Sequence, residues 1–388
     1  MLTALGSFFN KKGSHNLEAS ASQSALFDTN KVTDGYQSRL ALSKVNGNWV
    51  WWALQQITTD DFNMNDLGFQ PRNNRIRHKA EFAYRTTQPQ GPFNKYRHAV
   101  WGEYRSLYKP YRFEEFYVGY DAFHLTKSFF AFGINLVSTP GVSYNYFEPR
   151  APGRWFKVPG QAYFSGFIST DYRKVLALDM NGWYYPWFDM GRELDGIEFR
   201  PRVRLGDHFF TTPKVRITNV KSDYGYVPDN DPDLIYFGKR NQYRIENIIN
   251  AQYVFTPKSS LTLQLRHAYA DIDYLSFYIL EKNGDLTAAD LDDVNDLNFN
   301  TFNIEIKYSW WFAPGSGLVI LYRNSAASVD NYVGDSYIRN LEGTFDAPVQ
   351  NNISLRLTYF LDYNMVTKGL RNKKETGHWN PRHQEMSL

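Results

Sequence analysis

Apolar and polar residues alternate through residues 351–363, close to the C-terminal end of the chain. Ile353, Leu355 and Leu357 share one parity, whereas Arg356 has the other. Because successive side chains of a β-strand point to opposite faces, this segment predicts a strand with one apolar and one polar face. The same alternation returns in segment after segment through most of the chain. The sequence therefore predicts a large antiparallel β structure.

The composition narrows the kinds of β structure that fit. Phe, Trp and Tyr make up 17% of the residues, yet mean hydropathy is −0.52. No window offers the roughly 18 consecutive apolar residues of a transmembrane helix. This combination fits a transmembrane barrel, whose strands expose only every second residue to lipid. A soluble β-sandwich or propeller also alternates, so composition alone leaves all three alternatives open.

The lengths of the connections separate these alternatives. Short turns are predicted at residues 46–48, 257–259 and 314–317, and long loops at residues 59–74, 223–233, 281–300 and 325–350. Outer-membrane barrels combine short periplasmic turns with long external loops. The lack of a fixed-period repeat counts against a propeller. We therefore expect an all-β, transmembrane antiparallel β-barrel of about 14 to 16 strands, the even numbers typical of bacterial barrels.

Three local features refine this prediction. Residues 261–280 alternate over a length that suits a barrel strand projecting beyond the membrane. Pro201 lies on the apolar parity of an alternating segment, and it predicts a bulge or a sheet edge because proline cannot donate a ladder hydrogen bond. A helical turn is expected only near residues 286–294.

The chain is expected to have three parts. Residues 1–12 are predicted to be an N-terminal extension, residues 13–363 the transmembrane β-barrel, and residues 364–388 a basic, flexible periplasmic tail. A partner-binding role is the alternative for the tail. Residues 1–15 lack the basic start and cleavage site of a signal peptide. The sequence is therefore expected to be a mature form or a fragment of a longer product.

Cysteine and charge content exclude several classes of function. The chain has no cysteine, which rules out disulfides, thiolate catalysis and cysteine-based zinc sites. Its 43 basic and 40 acidic residues give a net charge of +3, too balanced to indicate nucleic-acid binding. No GxSxG, HExxH or glycine-rich phosphate loop occurs. We therefore expect no cofactor, no metal site, no catalytic residues and no enzymatic activity.

Arginines recur on the polar parity of several predicted strands. On a barrel this parity faces the lumen, and the predicted basic stripe consists of Arg75, Arg77, Arg85, Arg200, Arg202, Arg204 and Arg216. One interpretation is an anion-attracting pore, or a docking wall for an acidic glycan or peptide. The other is paired lumen charge, because the same strands carry Glu81, Glu103, Glu115, Glu198, Glu246 and Glu305.

Carboxylates and histidines supply weaker candidates. Two acidic loops could bind calcium, although neither matches an EF-hand: Asp223, Asp229, Asp231 and Asp233 in one, and Asp285, Asp290, Asp292, Asp293 and Asp296 in the other. His78 and His98 occur on neighbouring predicted strands, where an Asp/His pair at a barrel rim could activate water. His267 lies on the apolar parity, which favours an interfacial packing role over catalysis.

Aromatic residues cluster at residues 49–52, 183–188 and 308–312. Their expected role is in interfacial girdles, where amphipathic rings lie at the lipid–water boundary. Stacking against sugars is the alternative. Tyr224 and Tyr226, placed in the predicted loop at residues 223–233, are the candidate glycan-contacting aromatics.

Several local phrases resemble one known family. They occur at residues 63–74, 144–160, 254–274, 310–324 and 351–364, and the most specific are NDLGF at 65–69 and FAPGS at 312–316. They resemble the Gram-negative outer-membrane barrel family of unknown function that usually follows a carbohydrate-binding family 9-like domain. The resemblance covers about residues 13–364 and implies fold and compartment, but no site. That domain and further strands are not found ahead of the matched region, which implies the C-terminal barrel part of a longer architecture.

Together these observations favour a barrel of the bacterial outer membrane, in contact with the lipid bilayer and lipopolysaccharide. We expect it to serve as a pore or as the membrane-embedded part of an uptake or export complex, with glycans among the candidate ligands. One alternative is a passive anchor that binds a partner protein through its loops or tail. A rim hydrolase is the second alternative.

Overall fold

A computed structural model describes residues 1–28, 31–228, 231, 233–291, 296–331, 333–334 and 337–362. All but one of the helices and strands of the described chain are β-strands. Its first ten strands are β1 (Leu2–Phe9), β2 (His15–Asp28), β3 (Lys31–Lys44), β4 (Trp49–Thr58), β5 (Arg75–Arg85), β6 (Phe93–Leu107), β7 (Arg112–Thr126), β8 (Ala131–Thr139), β9 (Ser143–Asn145) and β10 (Phe156–Val158). The remaining elements are β11 (Gln161–Ser169), β12 (Leu176–Pro186), β13 (Glu193–Leu205), β14 (Phe209–Val227), β15 (Tyr236–Thr256), β16 (Ser259–Leu280), β17 (Leu286–Ala289), β18 (Leu297–Ala313), β19 (Ser316–Asp330), α1 (Tyr337–Asp346) and β20 (Val349–Thr358).

Eighteen of these strands form one antiparallel sheet in which each strand pairs with its neighbours in the chain. The series runs from β1 to β8, continues with β8 beside β11, and proceeds to β16, β18, β19 and β20. β17 pairs with the last four residues of β16, and β9 pairs with β10 as a separate two-stranded ribbon. Such a meander is what consecutive alternating segments joined by hairpins are expected to form.

The first and last strands of the series are its edges. β1 pairs with β2 and β20 pairs with β19, and the described residues contain no pair between β1 and β20. All ten residues of β20 are exposed. The antiparallel all-β prediction is confirmed, whereas closure of the barrel is not observed in the described part of the chain.

The two faces of the sheet have opposite chemistry. Arg77 lies opposite Arg105 on one face, and Phe82 lies opposite Val100 on the other. Phe82 and Val100 are 48% and 55% exposed, whereas Glu103 on the polar face is 2% exposed. Further exposed apolar side chains on the same face as Phe82 include Val118, Ile134, Leu136, Phe164, Ile197 and Phe199. The sheet therefore encloses its charged face and exposes its apolar face, the reverse of a water-soluble β domain.

The ends of the sheet differ in the length of their connections. The three predicted short turns join β3 to β4, β15 to β16 and β18 to β19, which places them at one end. The predicted long loops join β4 to β5, β14 to β15, β16 to β18 and β19 to β20, at the opposite end. The predicted asymmetry is therefore present, although strands β14, β18 and β19 extend several residues into the expected loops.

Several expected boundaries are wrong. Residues 1–12 are not an extension, because β1 pairs with β2 over its full length, with Leu2 opposite Gln23 and Phe9 opposite Asn16. Among the described residues the sheet has 18 strands rather than the expected 14 to 16, and neither β1 nor β17 was predicted to be a strand. Pro201 marks neither a bulge nor an edge. It lies opposite Pro213, and two prolines without N–H groups interrupt the β13–β14 ladder while its register continues.

The helix also lies elsewhere than expected. Residues 286–289 form strand β17, and the helix of the described chain is α1, between β19 and β20. No helix among the described residues has both the length and the apolar content needed to cross a membrane. The basic tail at residues 364–388 lies outside the described residues.

α1 packs on the apolar side of the sheet, near the end that carries the long loops. Phe345 contacts Phe302 of β18 with ring centroids 5.0 Å apart. The Tyr337 hydroxyl accepts a hydrogen bond from Asn247 at 2.7 Å and lies 3.2 Å from His267 Nδ1. His267 is therefore buried under the helix rather than set at a lipid interface.

Aromatic rings form a belt at the end with the short turns. Trp49 stacks on Phe82 at 5.1 Å, and Tyr253 contacts Phe255 at 4.9 Å. Trp310 contacts Phe312 at 5.4 Å beside the β18–β19 turn. Two of the predicted girdle clusters, at residues 49–52 and 308–312, lie in this belt.

Candidate functional site: a polar chamber under the segment between β8 and β11

The segment of residues 140–160 crosses the enclosed, polar side of the sheet. At one end the Tyr146 hydroxyl donates to the Phe113 carbonyl of β7 at 2.9 Å. Further along, Arg154 donates to the Leu280 carbonyl of β16 at 2.6 Å. Because β7 and β16 lie far apart in the strand series, the sheet must curl for one segment to reach both. Burial raises the pKa of Tyr146, with Arg112 opposing it, so the hydroxyl keeps the proton that it donates.

An apolar cluster holds the segment in place. Phe156 and Val158 of β10 are buried against Ile235, Phe237 and Leu280 at the long-loop end of β15 and β16. Phe156 and Phe237 are 2% and 0% exposed. In a structure whose apolar residues mostly face outward, this is the described cluster of buried hydrophobic side chains, and it fastens the segment inside.

Contacts with glycine and arginine complete the attachment. Lys157 N donates to the Gly284 carbonyl at 3.0 Å, where Gly284 has φ +88°. A Cβ at Gly284 would lie 2.6 Å from Trp155 Cδ1, so only glycine allows this approach. Arg72 of the β4–β5 loop lies over the Phe147 ring at 4.6 Å. The segment is therefore fixed from three sides.

Between the segment and the sheet lies a polar chamber, a cavity of about 400 Å³. Its charged walls are Arg72, Arg105, Glu114, Glu115, Glu148, Arg192, Asp223 and Arg240, and its aromatic walls are Tyr117, Tyr144, Tyr185, Trp187 and Tyr224. The residues come from β6, β7, β12, β14, β15, the β4–β5 and β12–β13 loops and the inserted segment. A cavity of this size and lining is typical of a small-molecule site.

Most of the charge in the chamber is paired. Asp223 accepts from Arg192 at 2.8 Å, from Gln242 at 2.6 Å and from Arg240 at 3.3 Å. Arg105 donates to Glu103 at 2.6 Å and also to Glu115.

Glu148 of the inserted segment accepts from the Tyr226 backbone N–H at 3.0 Å. The acidic side chains are thus engaged with donors of the wall.

Three hydrogen-bond donors of the chamber have no partner. Ser143 Oγ belongs to a residue that is 5% exposed, and it makes no hydrogen bond among the described residues. Arg192 Nη1 is buried without a partner, while Nε of the same side chain binds Asp223. Trp187 Nε1, near the Tyr185 hydroxyl, makes no bond of hydrogen-bond geometry. Buried donors without partners are costly, and they indicate groups kept for a ligand or water.

The predicted basic stripe lies on the polar face and is mostly paired. Among the described residues, five of its seven arginines have an acidic partner: Arg75 with Glu114, Arg77 with Glu103, Arg200 and Arg216 with Glu198, and Arg202 with Asp179. Arg85 donates to the Val45 carbonyl, and Arg204 lies 5.9 Å from the Phe210 ring. The stripe is spread over two regions of the sheet, and none of its seven arginines lines the chamber.

The predicted glycan-contacting tyrosines are not in a loop. Tyr224 and Tyr226 belong to β14, which continues to Val227, and both pack against the buried cluster around Phe156. Tyr224 also lines the chamber. The polar residues at 221–223 suggested an early end of the strand, but a register shift after Val220 lets pairing continue.

The aromatic cluster at residues 183–188 is not a girdle. Tyr185 lies on the enclosed face with its ring 5.9 Å from Tyr163, and Arg192 lies over the Trp187 ring at 4.5 Å. Sequence reasoning assigned Tyr185 and Trp187 to a girdle, and it missed Ser143 and Arg192 because their segments have no alternation. The dense run of aromatic residues at 183–188 was the available signal. Trp183 and Tyr185 share one parity and Tyr184 has the other, which could have shown that they point to opposite faces of the sheet.

The weaker candidates are dispersed. Asp223 pairs with arginines rather than with a metal, and the described residues contain no group of three or more His, Asp or Glu side chains placed to hold a metal ion. Asp229, Asp292 and Asp293 lie outside the described residues. His98 Nδ1 lies 2.6 Å from the Tyr120 hydroxyl and His78 lies beside Tyr104, both on the apolar face. The two histidines are therefore placed among aromatic residues.

Comparisons with known proteins give a family and a distant structural likeness. The in-vitro folded form of OmpT, an outer-membrane protein of Vibrio cholerae, superposes with a TM-score of 0.31 and 10% identity, over 90% of this chain and 98% of that one. Curated protein sequences give no match. The model of a family described as a domain of unknown function, DUF5916, matches residues 2–370. The expected sugar-binding-like neighbouring domain stays a prediction. The chain belongs to the DUF5916 family.

Proposed function

We propose that this protein is embedded in the bacterial outer membrane as a β-barrel wall and forms the membrane part of an uptake or export complex whose interior is closed at rest. The observation that carries the proposal is the inverted sheet, with its charges enclosed and its apolar side chains exposed. In lipid this arrangement removes the exposed apolar face from water, and the strands between the edges β1 and β20 satisfy one another's backbone groups. The lipid bilayer and lipopolysaccharide are then its immediate surroundings.

The inserted segment favours the closed state over a permanently open pore. It crosses the polar side of the sheet and is held by the buried Phe156–Phe237 contact, by a hydrogen bond from the Arg154 side chain to the Leu280 carbonyl of β16, and by a backbone hydrogen bond to the β16–β17 turn. A general pore needs a continuous water path, whereas a segment fixed at both sides divides that path. We propose that passage requires displacement of this segment, and that the protein itself catalyses no reaction.

Planar-bilayer conductance tests the proposal. The purified protein is expected to show no stepwise conductance. A variant in which residues 142–158 are replaced by a short Gly-Ser linker is expected to conduct, because the chamber then opens along the strands. As a matched control, replacing residues 86–92 at the short-turn end with a linker of equal length leaves the inserted segment in place and is expected to stay closed.

Two outcomes would contradict the proposal. Stepwise conductance of the unaltered protein would mean that it is an open pore. Absence of conductance in the linker variant, when its electrophoretic mobility still changes on heating as for a folded barrel, would mean that the interior offers no passage. The passive-anchor alternative would then be favoured, and co-purification with and without residues 364–388 would test it.

A further inference from the structure

We propose that the polar chamber binds a small ligand through a carboxylate group, with Arg192, Trp187 and Ser143 as its donors. All three unpartnered polar groups of the chamber carry a hydrogen to donate, namely Arg192 Nη1, Trp187 Nε1 and Ser143 Oγ. A carboxylate offers two oxygens with several acceptor positions, and arginine N–H groups bind it strongly. The unfilled bonding capacity of the chamber is thus complementary to an acceptor with negative charge.

The acidic residues of the chamber do not compete for this role. Asp223 is already the shared acceptor of Arg192 Nε and Arg240, and Glu115 is held by Arg105. Glu148 accepts from the backbone N–H of Tyr226. A cationic ligand would find each of these carboxylates occupied, while the free donors would remain unsatisfied.

The walls and the size of the chamber limit the rest of the ligand. A cavity of about 400 Å³ admits a molecule of roughly monosaccharide or dipeptide size. Tyr144, Tyr185 and Trp187 supply aromatic surface, against which an apolar ring face or a short chain can pack. The ligand class is therefore a compact organic anion with one apolar face, such as a hexuronate or the C-terminal end of a peptide.

Binding of defined probes to the detergent-solubilised protein tests this inference. By isothermal titration calorimetry, glucuronate is expected to bind at least about tenfold more tightly than its neutral methyl ester, which keeps the ring and loses the charge. N-Acetyl-alanyl-alanine in the same assay distinguishes the source of the carboxylate: tighter binding of the dipeptide indicates a peptide end, and tighter binding of glucuronate an acidic sugar. Because the assay does not involve passage, its result is independent of the conductance test.

Three conservative variants locate the site. Ser143→Ala removes a hydroxyl that has no partner, and Trp187→Phe keeps the ring under Arg192 but removes its N–H. Arg192→Gln removes the positive charge. Each is expected to weaken binding of the preferred anion by about tenfold or more, whereas Arg200→Gln, on the same face but outside the chamber, is expected to leave it unchanged.

Three results would overturn the inference. They are equal affinities for glucuronate and its methyl ester, absence of binding by both anions, and unaltered binding in Ser143→Ala and Trp187→Phe. These two variants break no hydrogen bond of the described structure, so loss of folding does not confuse their result.

Discussion

Phe156 of the inserted segment packs against Phe237 of β15 with ring centroids 4.9 Å apart, and the two residues are 2% and 0% exposed. The contact joins residues 81 positions apart in the chain. It buries two aromatic rings in a structure that directs most of its large apolar residues outward. The position of the segment, and therefore the existence of the chamber, depends on this contact more than on any other apolar one described.

Replacing Phe156 with alanine is expected to release the segment. Large-to-small substitution of a buried phenylalanine costs about 3–5 kcal/mol, and here the cost falls on local attachment rather than on the long strand ladders. We expect protease cleavage within residues 140–160 to accelerate at least tenfold while cleavage elsewhere stays unchanged. Phe69→Ala is the control, because Phe69 is 89% exposed and should leave the pattern as it is. Equal cleavage in both variants would contradict the anchoring role.

Asp223 is expected to be the most sensitive carboxylate of the chamber. Asp223→Asn leaves Arg192 and Arg240 without their shared anion, and the side chains of these arginines are only 13% and 21% exposed. Breaking such a partly buried network should cost about 2–3 kcal/mol, below the range for fully buried pairs. The measurement is the thermal unfolding midpoint in detergent.

A second carboxylate gives the comparison. Asp285 pairs with Lys157 at 3.0 Å, but their side chains are 54% and 35% exposed. Solvent screens this pair, so Asp285→Asn should cost less than about 1 kcal/mol. A similar destabilisation by both substitutions would mean that the Asp223 network adds no more than an ordinary surface pair.

These residues show which parts of the structure can be predicted from sequence patterns and which cannot. Alternation predicted the strands, because side-chain direction follows a local rule. The lengths of the connections predicted which connections lie at the same end of the sheet, because turn length is also set locally. The enclosed arginines were predictable from parity. The chamber was not, because Phe156, Arg192 and Ser143 lie in segments without alternation and meet partners only through the curl of the sheet.

The register shift after Val220 explains another miss. It lets β14 continue to Val227 through a stretch of polar residues that resembles a loop, so Tyr224 and Tyr226 lie in a strand. The docking of α1 on Phe302 and His267 was missed for a related reason. The helix covers polar residues, Asn298 and Asn300, that interrupt the apolar parity of their strand.

Asn340→Ala is expected to loosen α1. Asn340 is 8% exposed, and its side-chain oxygen accepts a hydrogen bond from Asn298 at 2.7 Å. Removing it leaves the Asn298 amide with unfilled bonding capacity under the helix, which costs about 1–3 kcal/mol. Hydrogen exchange of the α1 amides should accelerate correspondingly. Glu342→Ala, on the exposed side of the same helix, should not change the rates, and a change there but not in Asn340→Ala would contradict this packing.

The turn between β11 and β12 should show a pH dependence at acidic pH. Hydrogen bonds from Arg173 lower the pKa of Asp171 to about 2 from 3.8. A carboxyl group whose pKa is lower in the folded state stabilises the fold above its unfolded pKa and loses that effect as pH falls through the folded one. The stability difference between the unaltered protein and Asp171→Asn should therefore be full above about pH 4 and vanish near pH 2. A difference that persisted at pH 2 would contradict the ionic origin.

The edges β1 and β20 are expected not to seal the sheet against each other. β17 only extends the tip of β16, which leaves 17 strands in the continuous antiparallel series. In an odd series the first and last strands run in the same direction, so β1 and β20 could meet only as a parallel pair, unlike every other pair of the sheet.

Pairs of engineered cysteines test whether the two edges meet. The chain has no cysteine of its own, so any disulfide that forms must join the engineered residues. Oxidation of Ala4→Cys/Ala21→Cys, which lie directly opposite in β1 and β2, should give a disulfide. Ala4→Cys combined with Ile353→Cys, Leu355→Cys or Leu357→Cys should give none, and a disulfide in any of these three combinations would mean that the two edges meet.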